Sequence, residues 1–167
     1  MRKLFTFLSV IVGLAAAPVI AAELPAPTGK VILTITGAIE NHTSDGKIEM
    51  DLAQLEALES RETVTSNPWY DGPQTFKGAL GTAFLDYVGA KGTMMRVTAI
   101  NDFVAEVPVE DLQKYPVILA TRLNGEEIPI RSKGPIFIIY PFNEFKELDN
   151  NMIYARSAWQ VAKIEFY

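Results

Sequence analysis

The segment PVILATRLNGEEIPIRSKGPIFIIYP, from Pro116 to Pro141, is the most informative part of this chain. Its centre is Asn124-Gly125, the dipeptide that most strongly predicts a two-residue hairpin turn, because both residues tolerate positive φ. Val117–Leu119 precede the turn as a short apolar strand. Ile128–Ile130 follow it as a predicted edge strand, since Pro129 cannot donate to a sheet ladder.

A second turn and a second apolar run complete this segment. Gly134-Pro135 is a typical turn dipeptide. The run from Ile136 to Tyr140 is apolar throughout, as in a strand that is buried on both faces, and Pro141 ends it. The segment therefore predicts a strand, a hairpin, an edge strand, a turn and a buried strand.

Strands and short helices are intermixed over the rest of the chain. Predicted strands are 31–36, 62–66, 94–100 and 103–107, and 67–72 is a dense turn cluster. Three helices are predicted. The first follows Asp51, its N-cap residue; the second spans 79–88, with Gly89 as the C′ residue; and the third begins at Pro108 as the N1 residue. This order favours an α+β fold, a single mixed-sheet domain with short helices, over a doubly wound sheet.

Residues 1–22 have the pattern of a secretory signal peptide. Arg2 and Lys3 precede an apolar run from Leu4 to Ala17, and small residues precede Glu23. The apolar run is short for a bilayer span, although an uncleaved anchor is the alternative. We therefore expect a periplasmic protein with one domain over residues 23–167 and no membrane insertion after signal cleavage. Without Arg2 and Lys3, 13 of the 15 basic residues remain against 20 acidic ones, so the net charge is negative and nucleic acid is not an expected partner.

The residue types that carry most metal and nucleophile chemistry are scarce. The chain has no cysteine, and therefore no disulfide, no thiolate metal ligand and no cysteine nucleophile. Its single histidine, His42, lies in a polar run that predicts a solvated loop. Nucleotide-binding glycine loops, zinc-protease motifs and calcium-binding loops are also absent from the sequence.

Five segments, taken in order, resemble the sulfite oxidase-type molybdopterin-binding domain. They are LTITGAI at 33–39, DLAQLEAL at 51–58, FKGALGTAFLDYVGA at 76–90, VTAINDFVAEVPVEDL at 97–112, and the segment 116–141. The resemblance covers nearly all of the chain beyond residue 22. It implies the sulfite oxidase molybdopterin-binding fold, and in the enzymes of the family it implies molybdenum redox chemistry.

The chain departs from the enzymes at three places. The resemblance implies a molybdenum-binding cysteine after the first helix, where this chain has TVTSNPW from Thr63 to Trp69. It also implies an arginine shortly after the Gly-Pro turn, where this chain has Phe137. The segment Asn143–Asn151, where basic residues would hold the phosphate of the cofactor, is acidic on balance. Because serine and threonine are at best hard alkoxide ligands, these departures favour a non-catalytic protein over an enzyme.

The resemblance is then to small, cysteine-free periplasmic proteins, the pterin-binding regulators of membrane-bound cyclic-di-GMP enzymes. It implies a reduced pterin or related flat heterocycle as the ligand. It also implies a membrane sensor as the signalling partner, a cyclic-di-GMP synthase or phosphodiesterase whose periplasmic domain the protein contacts. Two alternatives stay open: a molybdopterin-dependent oxidoreductase subunit, and a ligand-free structural adaptor.

A pterin needs a flat face to stack on, an acceptor for its amino hydrogens and a donor for its oxo oxygen. Trp69 and Tyr70 lie in the turn NPWYDG, where burial is not automatic, so they predict a stacking platform with Asp71 as an acceptor beside it. Arg156 and Trp159 are three residues apart, so a helix would place them on one face for a similar role. The alternative is that both tryptophans fill the core.

Five further residues are candidates for the same site. Asn101 and Asp102 join two strands, with Asp102 as an acceptor and Asn101 as the residue that tolerates positive φ, although a plain Asx turn explains them equally well. Arg131 flanks the hairpin together with Lys133 as a possible anion contact, and a solvated charge pair is the alternative. Tyr140 ends the buried strand, with its hydroxyl directed into the pocket or satisfied within the core.

Overall fold

The computed structural model describes residues 24–167, so the predicted signal peptide lies outside the described residues. The strands are β1 (Val31–Gly37), β2 (Ile48–Asp51), β3 (Ser60–Asn67), β4 (Tyr70–Leu80), β5 (Met94–Ala99), β6 (Val104–Pro108), β7 (Ile118–Leu123), β8 (Glu126–Glu127), β9 (Phe137–Ile139) and β10 (Val161–Phe166). The helices are α1 (Leu52–Glu56), α2 (Gly81–Val88), α3 (Val109–Lys114) and α4 (Asn151–Arg156). Among these residues, no helix has the length and apolarity that a membrane crossing requires.

The strands form two sheets. The first sheet has the order β2-β1-β10-β5-β6, with β1 and β10 parallel and the other pairs antiparallel. The second has the order β3-β4-β7-β8, and β9 pairs with β7 on the side that also holds β8. The predicted α+β class is confirmed, and the strands that we assigned to a single mixed sheet are divided between these two.

Local sequence signals account for several element ends. Asp51 is the N-cap of α1 in a capping box, in which its side chain accepts from the Gln54 N–H and the Gln54 side chain accepts from the Asp51 N–H. Gly89 ends α2 in the left-handed conformation, with φ of 61°. Asn124 and Gly125 both have positive φ between β7 and β8, which confirms the predicted hairpin.

Strand β7 has an extra residue, Thr121, opposite the step from Lys77 to Gly78 in β4, and this forms a bulge between the two strands. A Cβ atom at Gly78 would lie 2.0 Å from the backbone oxygen of Leu119, so only glycine allows β4 and β7 to approach this closely. Phe76, before the bulge, joins a hydrophobic cluster on one face of the second sheet. Ala79, after it, joins the larger core on the other face.

The second sheet is therefore covered on both faces. Its inner face packs against the first sheet and helices α2 and α3 in the main core. Its outer face carries a smaller cluster, the outer cluster, whose buried members are Phe76, Ile118, Ala120, Ile128, Phe137 and Ile139. Trp69, Tyr70 and Trp159 are partly buried against the outer cluster. All three are predicted site residues, so this face of the sheet positions the candidate site.

Some sequence predictions are wrong in detail. Ile128–Ile130 is not a strand, because the chain turns at Pro129, whose carbonyl accepts from the N–H groups of Ser132 and Gly134. The long strand β4 was not predicted, and the predicted helix at 79–88 begins only at Gly81. Pro108 is the N-cap residue of α3, not N1.

Candidate functional site

Four aromatic side chains from separate parts of the chain meet at the edge of the outer cluster. The ring centroid of Trp69 lies 5.4 Å from Phe137, 5.9 Å from Tyr154 and 5.5 Å from Trp159, each in edge-to-face geometry. Phe137 and Trp159 are also 6.0 Å apart. We call these four residues the aromatic cluster. It brings together both tryptophans of the chain, which are 90 positions apart in the sequence.

The backbone around each tryptophan holds it in place. Trp69 lies in the turn between β3 and β4, where its N–H donates to Oδ1 of Asn67 at 3.1 Å. Trp159 lies between α4 and β10 and forms an isolated β-bridge with Phe137 of β9. The rings are only half-buried, so part of each aromatic surface stays open to a ligand.

Lys133 covers part of this aromatic surface. Its Nζ atom lies 4.7 Å from the ring centroid of Trp159 and 5.6 Å from that of Tyr70. Both distances are within the range of cation–π attraction. The site therefore has a positive charge held over two rings from different segments.

Three buried polar atoms on β3 and at the start of β4 have no hydrogen-bond partner among the described residues. They are Oγ1 of Thr63, Nδ2 of Asn67 and the hydroxyl of Tyr70. Burial raises the pKa of the Tyr70 phenol, and the nearby Ser132 hydroxyl offsets this effect only in part. Because an unpaired buried polar group is costly, each of these atoms favours a bound water or ligand.

Gln160 connects the aromatic cluster to two neighbouring loops. Its N–H donates to the backbone oxygen of Lys133 at 3.0 Å, and its Nε2 donates to that of Ile130 at 2.7 Å. Its own backbone oxygen accepts from the Ile100 N–H at 2.8 Å. Gln160 has a φ of 53°, an uncommon conformation for a residue other than glycine. The loops that carry Arg131 and the Asn101–Asp102 turn are thus attached to the residue that follows Trp159.

Tyr140 and Arg156 meet elsewhere, at a buried carboxylate. The Tyr140 hydroxyl donates to Oδ2 of Asp111 at 2.8 Å, and a guanidinium nitrogen of Arg156 donates to the same oxygen at 2.9 Å. Burial and the Asp111 charge raise the pKa of the Tyr140 phenol, so its proton stays in place for this bond. Tyr140 and Arg156 therefore hold α3, α4 and the end of β9 together.

The expected sharing of a helical face by Arg156 and Trp159 is wrong. Helix α4 ends at Arg156, so Trp159 lies beyond it, and the two side chains point to different surroundings. Ligand binding by Tyr140 or Arg156 stays a prediction, and it would compete with the bonds to Asp111.

The remaining predicted residues are exposed. Asp71 lies near the start of β4, and Arg131 lies in the loop between β8 and β9. Oδ1 of Asn101 accepts from the Phe103 N–H at 3.2 Å, which makes the loop an Asx turn. The positive φ of 63° belongs to Asp102, not to Asn101 as expected. A ligand role for these four residues stays a prediction.

A groove of about 750 Å³ lies beside the loop that carries Lys133. Ile130 and Pro135 of this loop line it, together with Ile100 and the first residues of β1. Its volume is in the range of small-molecule sites. Two of the three carboxylates that line it are engaged, since Asp51 caps α1 and Glu56 pairs with Arg122 at 2.8 Å, whereas Glu127 forms no ion pair with a described residue. The groove and the aromatic cluster thus lie on two sides of one loop.

The residues present do not fit a molybdenum centre of the kind that the resemblance implies. The sequence has no cysteine to supply a thiolate. Trp69 lies in the segment where the resemblance places the cysteine, and Phe137 lies where it places the arginine. The rings of these two residues pack against each other. Over residues 24–167, histidine and acidic side chains form no group of three or more that could hold a metal ion.

Sequence reasoning did not select four residues that the site contains, and one of them is Phe137, which was noted only for the arginine that it replaces. Asn67 and Thr63 point inward because β3 alternates between buried and exposed positions, with Thr63, Thr65 and Asn67 buried. Tyr154 joins the aromatic cluster from α4. The sequence predicts a strand at 62–66 in which buried and exposed positions alternate, but the threonines fit its exposed positions equally well.

Comparisons with known proteins show a similarity of fold. No family model and no curated protein sequence matches the chain. The crystal structure of the sulfane dehydrogenase SoxCD from Paracoccus pantotrophus is similar, with a TM-score of 0.58 and 14% sequence identity. The match covers 81% of this chain but only 37% of that one, so the protein spans little more than a third of its neighbour. This chain therefore has a fold similar to that of a subunit of a molybdopterin enzyme.

Proposed function

We propose that this protein is a non-catalytic periplasmic binding protein for a pterin or a related flat heterocycle. In this proposal the loaded protein regulates a membrane-bound signalling partner, a cyclic-di-GMP synthase or phosphodiesterase. The observation that supports this class of ligand is the aromatic cluster, with Lys133 and the unpaired polar atoms beside it.

The arrangement suits a flat ring for two physical reasons. Half-buried tryptophan faces attract aromatic rings through burial and quadrupole interactions, each such pair contributing about 0.5–1.5 kcal/mol beyond area burial. The Tyr70 O–H and the Nδ2 of Asn67 have no acceptor among the described residues, so a ligand with oxo groups would give them one. An aromatic cluster that only filled the core would not require unpaired polar atoms next to it.

The binding proposal is tested on mature protein purified from the periplasm. Bound material is examined by fluorescence and mass spectrometry, and reduced pterins are added to protein stripped of ligand. Because both tryptophans of the chain lie in the aromatic cluster, their fluorescence reports directly on binding there. We expect quenching in wild-type protein and at least about tenfold weaker binding in Trp69→Leu, since one stacking face is lost.

The matched control is Tyr167→Leu, which removes an exposed aromatic residue directly after β10, outside the cluster. It should bind pterins as wild type does. Thermal melts of both variants separate a loss of binding from a loss of folding. A protein that is always isolated empty and does not respond to added reduced pterins would overturn the proposal.

The signalling step is tested in cells that lack the gene. We expect a change in cyclic-di-GMP level that the wild-type protein restores and a folded Trp69→Leu variant does not. Full restoration by a variant that no longer binds pterins would favour the ligand-free adaptor instead.

A molybdopterin-dependent oxidoreductase is the second candidate, and the similarity to SoxCD is the observation that favours it. Metal analysis of the purified protein distinguishes the two. Molybdenum or tungsten in stoichiometric amount would replace the binding proposal with a redox one, in spite of the missing thiolate.

A further inference from the structure

Lys133 differs from the other unpaired basic residues in its burial. Over residues 24–167, seven basic side chains have no carboxylate within 4.0 Å: Lys30, Lys77, Lys114, Arg131, Lys133, Lys146 and Lys163. Six of them are exposed, and Lys133 is half-buried. Because a partly buried charge is ordinarily paired, an anion that the protein itself does not supply would give Lys133 the partner that it lacks.

Two unpaired buried polar atoms beside Trp69 can donate hydrogen bonds. Nδ2 of Asn67 is a donor only, and its amide orientation follows from Oδ1, which accepts the Trp69 N–H. The Tyr70 hydroxyl also has a proton to donate, because burial raises the pKa of the phenol. Among the described residues, none of the unpaired buried side-chain atoms of this region is a carboxylate or carbonyl oxygen. Such a donor set selects ligands whose edges are rich in acceptors.

We propose that the ring-binding site selects flat heterocycles that carry an anionic group, and that Lys133 is the residue that recognises this group. The inference rests on the proposed function and adds the class of ligand. The aromatic faces of Trp69 and Trp159 hold the ring, and the ammonium of Lys133 forms a charge-assisted hydrogen bond to a carboxylate on it. The described part of the chain is acidic overall, so the selectivity is local to this loop and does not come from the net charge.

The test compares two probes that share one ring. Pterin and pterin-6-carboxylate are titrated into the full mature protein by calorimetry. We expect the carboxylate to bind about tenfold more tightly, as one charge-assisted hydrogen bond predicts. In Lys133→Met the ratio of the affinity for pterin-6-carboxylate to that for pterin should fall towards one. Lys133→Arg should keep most of this preference because the charge is retained.

Lys163→Met is the matched control, since it removes an exposed lysine of β10 that also lacks a carboxylate partner. Its ratio should equal that of wild type. Equal affinity of wild-type protein for the two probes, or a ratio that Lys133→Met leaves unchanged, would overturn the inference while the proposed function stands. Failure of both probes and of reduced pterins to bind would overturn the proposed function together with this inference.

Discussion

Arg156 shows how one tertiary contact changes the role that is inferred for a side chain. In the sequence it is a donor three positions before a tryptophan. In the fold its guanidinium is bound to Asp111, whose side chain is 12% exposed, and the Tyr140 hydroxyl shares the same carboxylate oxygen. A buried carboxylate needs both donors, because a charge left without a partner in the interior is far more costly than one in water.

At this scale we expect Arg156→Met to lower the free energy of unfolding by about 3 kcal/mol, since it leaves the Asp111 charge with one neutral donor. Tyr140→Phe removes a single hydrogen bond and should cost about 1 kcal/mol. Guanidinium chloride denaturation measures both values.

Arg61→Met is the control for Arg156→Met, because Arg61 pairs with Glu144 at the surface, where ion pairs contribute about 0–1 kcal/mol. Equal destabilisation by the two substitutions would show that the Asp111 contact does not hold the fold. If Arg156→Met is stable and loses pterin binding, Arg156 serves the ligand instead.

At the scale of elements, caps and turns follow from short sequence patterns, whereas the faces of strands do not. Asp51, Gly89 and the Asn124-Gly125 turn act on backbone groups within a few residues of themselves, so their roles were predictable. The register between β4 and β7 depends on a bulge at Thr121 of β7, and β7 lies about 40 residues further along the chain than β4. No local pattern carries that information.

The cap of α1 predicts a pH dependence of stability. The backbone N–H groups of Gln54 and Gly29 donate to the Asp51 carboxylate and hold its pKa below the ordinary value of 3.8. A lowered pKa in the folded state gives stability that is present above pH 3.8 and is lost as the pH falls through the folded-state value. The melting temperature of wild type should therefore exceed that of Asp51→Asn at neutral pH, and the difference should shrink below pH 3.8.

Gln54→Ala is the control for this experiment. It removes the side-chain half of the capping box and leaves the Asp51 carboxylate, so it should lower the melting temperature but keep the wild-type response to acid. A constant difference between wild type and Asp51→Asn at every pH would contradict the assignment.

At the scale of the whole molecule, the two hydrophobic clusters share strands. Strand β7 places Leu119 in the main core and Ile118 and Ala120 in the outer cluster, and β4 does the same through Ala79 and Phe76. Neither cluster can lose its packing without exposing a sheet that the other also needs. The aromatic cluster is thus part of the folded unit and not a separate appendage.

We accordingly expect a single cooperative unfolding transition. Far-ultraviolet circular dichroism follows both sheets, and tryptophan fluorescence follows the aromatic cluster alone, since both tryptophans lie in it. The two guanidinium chloride curves should coincide. A fluorescence change at clearly lower denaturant would show that the aromatic cluster opens before the core unfolds.

Composition and short-range patterns are sufficient for one group of conclusions about this protein. The absent cysteine, the α+β class and the hairpin at Asn124-Gly125 need no long-range contact, because each depends on residue types or on neighbours in the chain. The meeting of Trp69, Lys133 and Trp159, and the engagement of Arg156 by Asp111, follow only from the folded chain. They depend on strand register and on the bulge of β7 opposite Gly78, which bring distant segments together through packing that short-range patterns do not encode.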